Sequence, residues 1–113
     1  MRILVVDSDE HMALTLARQL RLQGITVDAA TGYEEAEKLL NEGQSLDAVV
    51  TGWNLGHGHP SGVDVLALAR ARCPDARRVL VSGSMLSDID DGLGVFVQKP
   101  FRVGQLLSAL GVV

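Results

Sequence analysis

Chemically reactive side chains follow the ends of apolar, β-rich runs in this sequence. Two carboxylates come after the first run, a hydroxyl ends the fourth, a lysine follows the fifth, and a glycine follows the third. Functional groups gather at the carboxyl ends of the strands in an open parallel sheet, so we expect these residues to share one rim. Carboxylates at such a rim could hold Mg²⁺, which prefers oxygen ligands. The predicted rim comprises Asp7, Ser8, Asp9, Gly52, Asn54, Ser82, Lys99 and Pro100.

Strand and helix patterns alternate along the whole chain. Residues 3–6 form an unbroken apolar run, which is typical of a strand covered on both faces. Thr31 and Glu34 match a capping box, with Thr31 as N-cap of a second helix that stops at Gly43. The alternation favours one α/β domain, residues 1–113, built on a doubly wound five-stranded parallel sheet with helices on both faces. The predicted strands are 3–6, 25–30, 47–51, 78–82 and 95–98, and the other predicted helices are 10–23, 63–72 and 103–110.

Composition argues against several classes of function. The 113 residues carry a formal net charge of −4 and show no Lys/Arg cluster, so direct nucleic-acid binding is not expected. No apolar stretch approaches the roughly 18 residues that a membrane span requires. The single cysteine, Cys73, cannot form an internal disulfide and fits a reducing compartment. We therefore expect a cytoplasmic protein without a membrane partner.

The rim residues resemble those of the receiver domain of response regulators, the CheY-like family. In that family acidic residues follow the first strand, as Asp7 and Asp9 do here. Asn54 matches a residue that lends its backbone carbonyl to a metal ion, and Ser82 matches a hydroxyl that meets the phosphoryl group. Lys99-Pro100 matches the pair after the fifth strand. The resemblance covers the whole chain and implies a flavodoxin-like (βα)5 fold with strand order 2-1-3-4-5.

Two positions depart from the family pattern. The residue that ends the third strand is the phosphoacceptor aspartate in the family, whereas Gly52 has no nucleophile. Ser8 stands where the family usually has an acid that binds the metal directly. Phosphoryl transfer to a carboxylate needs an oxygen nucleophile and a cation, so we expect no aspartyl phosphorylation and no catalytic residue. Asp7 and Asp9 alone predict a weak, largely hydrated Mg²⁺ at most, and no other cofactor is expected.

Without the phosphoacceptor, Lys99 loses the partner that the resemblance implies. We expect a permanent contact between Lys99 and Asp7 or Asp9, the alternative being a lysine that points to solvent. The family pattern also implies a cis Lys99-Pro100 bond.

Ser82 and Phe96 match the switch positions of the family. Ser82 could equally satisfy a backbone group at a strand end. Because the trigger of the switch is missing, we expect Phe96 to be buried core. Trp53, which follows Gly52, could contact a partner if its ring is exposed.

Three histidines could share the rim. His11 starts the first helix, and His57 and His59 lie in a glycine-rich loop after the third strand. Imidazoles beside a carboxylate such as Asp9 suit borderline metals, so a metal site is a speculative alternative to none. The glycine-rich loop argues against it, because closed sites need fixed ligands.

The segment between Ser82 and Lys99 is shorter than the family pattern by about one helical turn. It predicts a short fourth helix, about 87–93, with Ser87 as N-cap, which puts the family's usual dimer surface in doubt. The loop after the third strand is slightly longer than usual and could close over the rim.

Three functions remain open. The favoured one is a protein-interaction module of two-component signalling that is not an enzyme, has no small-molecule substrate, and binds a signalling kinase, an output domain or another regulator. The second is a receiver phosphorylated in an unusual way, at Asp7, Asp9 or a hydroxyl such as Ser8 or Thr51. The third is a flavodoxin-like enzyme or cofactor binder, which needs a phosphate-cradling glycine loop after the first strand. That loop is acidic here and would repel phosphate.

Overall fold

The chain folds around one parallel sheet of five strands in the order β2-β1-β3-β4-β5. The structure, a computed structural model, describes residues 1–43, 45–55, 61–83 and 92–111. The predicted α/β class, strand order and alternation are confirmed. The strands are Arg2–Val6 (β1), Thr26–Ala30 (β2), Ala48–Gly52 (β3), Arg77–Ser82 (β4) and Val95–Gln98 (β5), and the helices are Glu10–Arg21 (α1), Tyr33–Asn41 (α2), Gly62–Arg72 (α3) and Val103–Ala109 (α4).

Each face of the sheet has its own apolar core. Successive side chains of a strand point to opposite faces, so β1 contributes Ile3 and Val5 to one core and Leu4 and Val6 to the other. The first core includes residues of α1 and α4, and the second includes residues of α2 and α3. The central strands are therefore buried on both faces, which explains their unbroken apolar runs.

The predicted capping box of the second helix is wrong. The N-cap of α2 is Gly32, and the backbone N–H of Thr31 donates to Oε1 of Glu35 at 3.1 Å. The helix begins one residue later than expected, so the carboxylate that reaches back is supplied by Glu35 and not by Glu34.

Arg2, at the amino-terminal end of β1, connects this strand to both of its neighbours. The Arg2 guanidinium pairs with Asp28 of β2 at 2.8 Å. The backbone N–H of Arg2 donates to Oδ2 of Asp47 at 2.7 Å, just before β3. The register of β1 with both neighbours is thus fixed at the end of the sheet opposite the predicted rim.

Arg78 of β4 anchors the segment that leads into β5. Its guanidinium donates to the carbonyl oxygens of Leu93 at 2.7 Å and Gly92 at 3.2 Å. It also donates to that of Ala76 at 3.2 Å.

The predicted fourth helix lies mostly outside the described residues, as does most of the loop after β3. Within the described ranges, no helix combines the length and apolar character needed to cross a membrane.

Candidate functional site

Asp7 follows β1 and lies at the centre of the rim. Its Oδ1 accepts a hydrogen bond from the backbone N–H of Asp9 at 2.9 Å. Its Oδ2 is 3.3 Å from the Nζ of Lys99. The predicted contact between Lys99 and a carboxylate is therefore present, and Asp7 is the partner. Both side chains are partly buried, and a pair of this kind contributes on the order of 1 kcal/mol or less to stability.

Lys99 reaches Asp7 because β5 and β4 end side by side. The backbone N–H of Lys99 donates to the carbonyl of Ser82 at 2.8 Å, which continues the ladder beyond both strands. The Lys99-Pro100 bond is cis, as expected. The carboxyl ends of β1, β4 and β5 thus bring Asp7, Ser82 and Lys99 to one edge of the sheet.

Gly52 ends β3 and is buried beside Asp7. A Cβ placed on Gly52 would lie 3.6 Å from Oδ2 of Asp7 and 3.8 Å from the carbonyl oxygen of Val6, which are ordinary contacts. Packing at this position therefore does not require glycine. A carboxylate there would stand next to that of Asp7, which pairs with Lys99.

The other two residues after β1 are engaged in local hydrogen bonds. The Ser8 hydroxyl donates to the backbone carbonyl of Asn54 at 3.1 Å. Asp9 is the N-cap of α1, and its Oδ1 accepts the backbone N–H groups of His11 at 3.0 Å and Met12 at 3.3 Å. Because its carboxylate caps the helix, Asp9 does not share the ion pair of Asp7 with Lys99.

The two hydroxyls at the strand ends are both buried. Thr51 is fully buried, and its hydroxyl donates to the carbonyl of Gly52 at 2.9 Å. Ser82 is 8% exposed and closes β4 in register with Gln98.

The two aromatic residues near the rim differ in exposure: Trp53 is 41% exposed, while Phe96 is only partly buried. We expected Phe96 to be buried in the core, but it is only partly covered, because β5 is an edge strand of the sheet.

His11 is exposed at the start of α1, and His57 and His59 lie outside the described residues. Among the residues that the structure describes, no group of three or more His, Cys, Asp or Glu side chains is arranged to hold a metal ion.

Sequence reasoning missed Gly62, which packs directly against the rim. Its backbone N–H donates to the carbonyl of Trp53 at 2.8 Å, and a Cβ at this position would overlap the carbonyl oxygen of Gly52. The available signal was Ser61 followed three residues later by Asp64, a capping-box spacing before an apolar run. The backbone N–H of Ser61 indeed donates to Oδ2 of Asp64 at 2.6 Å. That contact fixes the start of α3, and the bond from Gly62 to Trp53 holds this start against the end of β3.

Tyr33 is the described residue with a clearly perturbed ionisation. Burial raises the pKa of the Tyr33 phenol, and the negative charges of Glu37 and Asp64 raise this pKa further. Tyr33 packs against the core between α2 and α3, alongside Leu55 and Leu68. The Tyr33 phenol thus belongs to the packing of α2 against α3.

Comparison with known proteins matches residues 3–111 to the response regulator receiver domain. Among curated proteins, the chain is 34% identical over 114 residues to the hydrogenase transcriptional regulatory protein HoxA of Bradyrhizobium diazoefficiens, and the match covers 96% of the chain but 23% of HoxA. The photosynthetic apparatus regulatory protein RegA of Cereibacter sphaeroides is 26% identical, with 60% of its length covered. The chain thus spans only part of the curated relatives it matches.

A solved structure gives the same result. A response regulator protein from Burkholderia pseudomallei, described with a phosphorylated aspartic acid, calcium ion and citrate, is 30% identical with a TM-score of 0.85. The match covers 96% of this chain and 65% of that one. The family match spans nearly all of the chain, and the strand order agrees with it. The chain belongs to the response regulator receiver domain family.

Proposed function

We propose that residues 1–113 form a receiver-like domain that acts in two-component signalling as a protein-interaction module, without phosphorylation and without enzymatic activity. The observation that supports this most directly is Gly52 at the end of β3, beside Asp7, which in turn pairs with Lys99. By its resemblance to the family, this is the position at which other receiver domains carry the phosphoacceptor aspartate. Glycine offers no oxygen atom that could attack a phosphoryl donor.

The donor atoms around Asp7 fit Mg²⁺ poorly. One oxygen of Asp7 accepts a backbone N–H and the other pairs with Lys99. Ser8 supplies a neutral hydroxyl where the family usually has an acid, and that hydroxyl is bonded to the Asn54 carbonyl. Mg²⁺ requires near-octahedral oxygen ligands and is usually held by one or two carboxylates plus phosphate oxygens. We infer that Mg²⁺ binds weakly at most and that no other cofactor is needed.

Phosphorylation at an unusual residue is the second candidate. Thr51 is fully buried and Asp9 caps α1, while Asp7 is already paired with Lys99. Among the residues considered for this role, Ser8 is the exposed hydroxyl. It is the position at which this alternative is best tested. A flavodoxin-like cofactor binder is the least supported alternative, because the loop after β1 is acidic.

The proposed partner is another protein: a signalling kinase, an output domain or another regulator. Trp53, with 41% of its surface exposed next to the rim, offers an apolar contact for such a partner. A net charge of −4 gives no support for direct contact with nucleic acid. We place this function in the cytoplasm, with neither a membrane nor a small-molecule substrate.

Incubation with acetyl phosphate and Mg²⁺ followed by intact-protein mass spectrometry tests the proposal. We expect no phosphoryl adduct on the natural chain. The variant that combines Gly52→Asp with Ser8→Asp is the matched control, because it restores both missing carboxylates. A stable adduct that disappears in Ser8→Ala would favour the second candidate. A hydroxylamine-sensitive adduct on Asp7 or Asp9, as expected of an acyl phosphate, would also contradict the proposal.

A further inference from the structure

A cavity of about 430 Å³ opens beside the rim, between α1 and the segment after β5. Small-molecule sites in proteins typically measure about 300–1,000 Å³. Its lining includes Asp7 and Lys99 but not Gly52, Ser8 or Asn54, so it extends from the ion pair away from β3. Gly52 is thus not part of the lining, although Asp7 of the lining lies next to it.

The walls of this cavity are mostly apolar. Met12 and Leu16 of α1 face Val81, Pro100 and Phe101 across it. Met12 is 40% exposed, so a molecule bound in the cavity could cover its side chain. Methionine is flexible and polarizable, so it adapts to the shape of an apolar partner. These walls suit a flat or chain-like hydrocarbon body.

The polar end of the cavity is formed by Lys99 and Asp7. Lys99 is the sole cation among the described residues of the lining, and its ammonium has three N–H donors, of which Asp7 accepts one. The negative charge of the Asp7 carboxylate is also stabilised by the backbone N–H of Asp9, which donates to its Oδ1. Lys99 can therefore accept a second anionic partner. The lining also includes Gln19, seven residues after Met12, so the cavity extends roughly 10 Å along α1.

We infer that this cavity binds an elongated apolar monocarboxylate, such as an aryl-alkanoate, with its carboxylate on Lys99 and its hydrocarbon body along Met12, Leu16 and Phe101. The inference goes beyond the proposed function and does not rest on it. A receiver-like domain would thereby gain a chemical input at a residue of the rim.

Amide-resolved NMR of the isotope-labelled chain, titrated with phenylbutyrate, tests this inference. We expect saturable shifts centred on Met12, Leu16, Lys99 and Phe101. The neutral phenylbutyramide should bind at least tenfold more weakly, and Lys99→Gln should remove this difference. Equal affinities of the acid and the amide for the natural chain would overturn the assigned head group.

Two substitutions on α1 give a matched pair. Met12→Trp fills the cavity and should abolish the shifts, whereas Leu14→Trp should leave them unchanged, because Leu14 is 53% exposed and is not part of the lining. Both spectra report directly on whether the variants remain folded. Shifts that do not saturate, or that persist in Met12→Trp, would overturn the inference. Shifts produced only by an amphipathic peptide would assign the groove to a protein partner and would overturn it as well.

Discussion

The hydroxyl of Ser8 donates a hydrogen bond to the backbone carbonyl of Asn54 at 3.1 Å, although 46 positions separate the two residues. This bond joins the loop after β1 to the loop after β3. The ion pair between Asp7 and Lys99 joins the loop after β1 to the end of β5 in the same way. The loop after β1 is therefore linked to the loop after β3 by a hydrogen bond and to the end of β5 by an ion pair.

Mg²⁺ should have little effect on the natural chain. Trp53 is the only tryptophan in the sequence and follows Gly52, so its fluorescence reports on the rim. We expect no saturable change at millimolar Mg²⁺, because Ser8 and Asp7 are engaged with protein partners. The double variant with Gly52→Asp and Ser8→Asp should respond saturably. A saturable response of the natural chain would show that the retained carboxylates suffice.

Restoring the acceptor alone should not restore phosphorylation. A side chain at Gly52 fits sterically, but its carboxylate would stand beside that of Asp7 without a strong cation site to offset the repulsion. With acetyl phosphate and Mg²⁺, Gly52→Asp should give little or no adduct by intact mass. Addition of Ser8→Asp should raise the yield. Equal, robust labelling of both variants would mean that the role assigned to Ser8 is too large.

Gly62→Ala should destabilise the fold by about 2 kcal/mol, because the new methyl group would overlap the carbonyl of Gly52. Denaturant unfolding measures the change in the free energy of unfolding. Gly104→Ala is the control: a Cβ at Gly104 meets no atom within 4 Å, and the residue is inside α4. There alanine should stabilise by roughly 0.5–1 kcal/mol. Similar effects at both positions would contradict the close contact of α3 with β3.

Tyr33 is the sole tyrosine, so absorbance of its phenolate gives its pKa directly. Burial and the charge of Glu37 raise this pKa above the ordinary value of 10.0. Between the ordinary and the raised pKa the folded chain binds more protons than the unfolded chain, so stability falls as pH rises through this window. Glu37→Gln should lower the pKa, and Tyr33→Phe should remove this part of the alkaline loss. A pKa at the ordinary value would contradict the described burial of the phenol.

Arg78→Lys should destabilise the chain by about 2 kcal/mol, because a lysine cannot reproduce a planar fork that donates to several carbonyls at once. The affected carbonyls include those of Leu93 and Ala76. Arg70→Lys, at an exposed position of α3, should change stability by less than about 0.5 kcal/mol. Thermal and denaturant unfolding of both variants would measure the difference. Equal losses would show that the guanidinium geometry of Arg78 is unimportant.

Local patterns predicted the strands well because buried parallel strands have unbroken apolar runs. The predicted bounds of β5 are those of the structure; β1, β2 and β4 differ by one residue at their start, and β3 is shifted by one residue at both ends. The start of α2 was misplaced because Thr31 and Glu34 match a local pattern, whereas the backbone turns into the helix at Gly32. A local pattern cannot decide between two neighbouring caps.

The contacts that shape the site were less accessible. Rim residues could be predicted because parallel topology places the strand ends together. The Ser8–Asn54 bond and the carbonyl contacts of Arg78 connect residues far apart in the sequence, and no local pattern indicates them. The need for glycine at position 62 likewise arises from a neighbouring strand. These features arise from backbone segments that are distant in the sequence and close in space, so local sequence patterns do not predict them.

The contacts of Arg2 with Asp28 and Asp47 lie at the end of the sheet away from the rim. Strand alignment and rim chemistry are therefore encoded by separate sets of residues. Substitutions at the rim can therefore change its chemistry while the contacts of Arg2 keep the strands aligned. The sheet can thus keep its strand alignment while the side chains that it presents at the rim change.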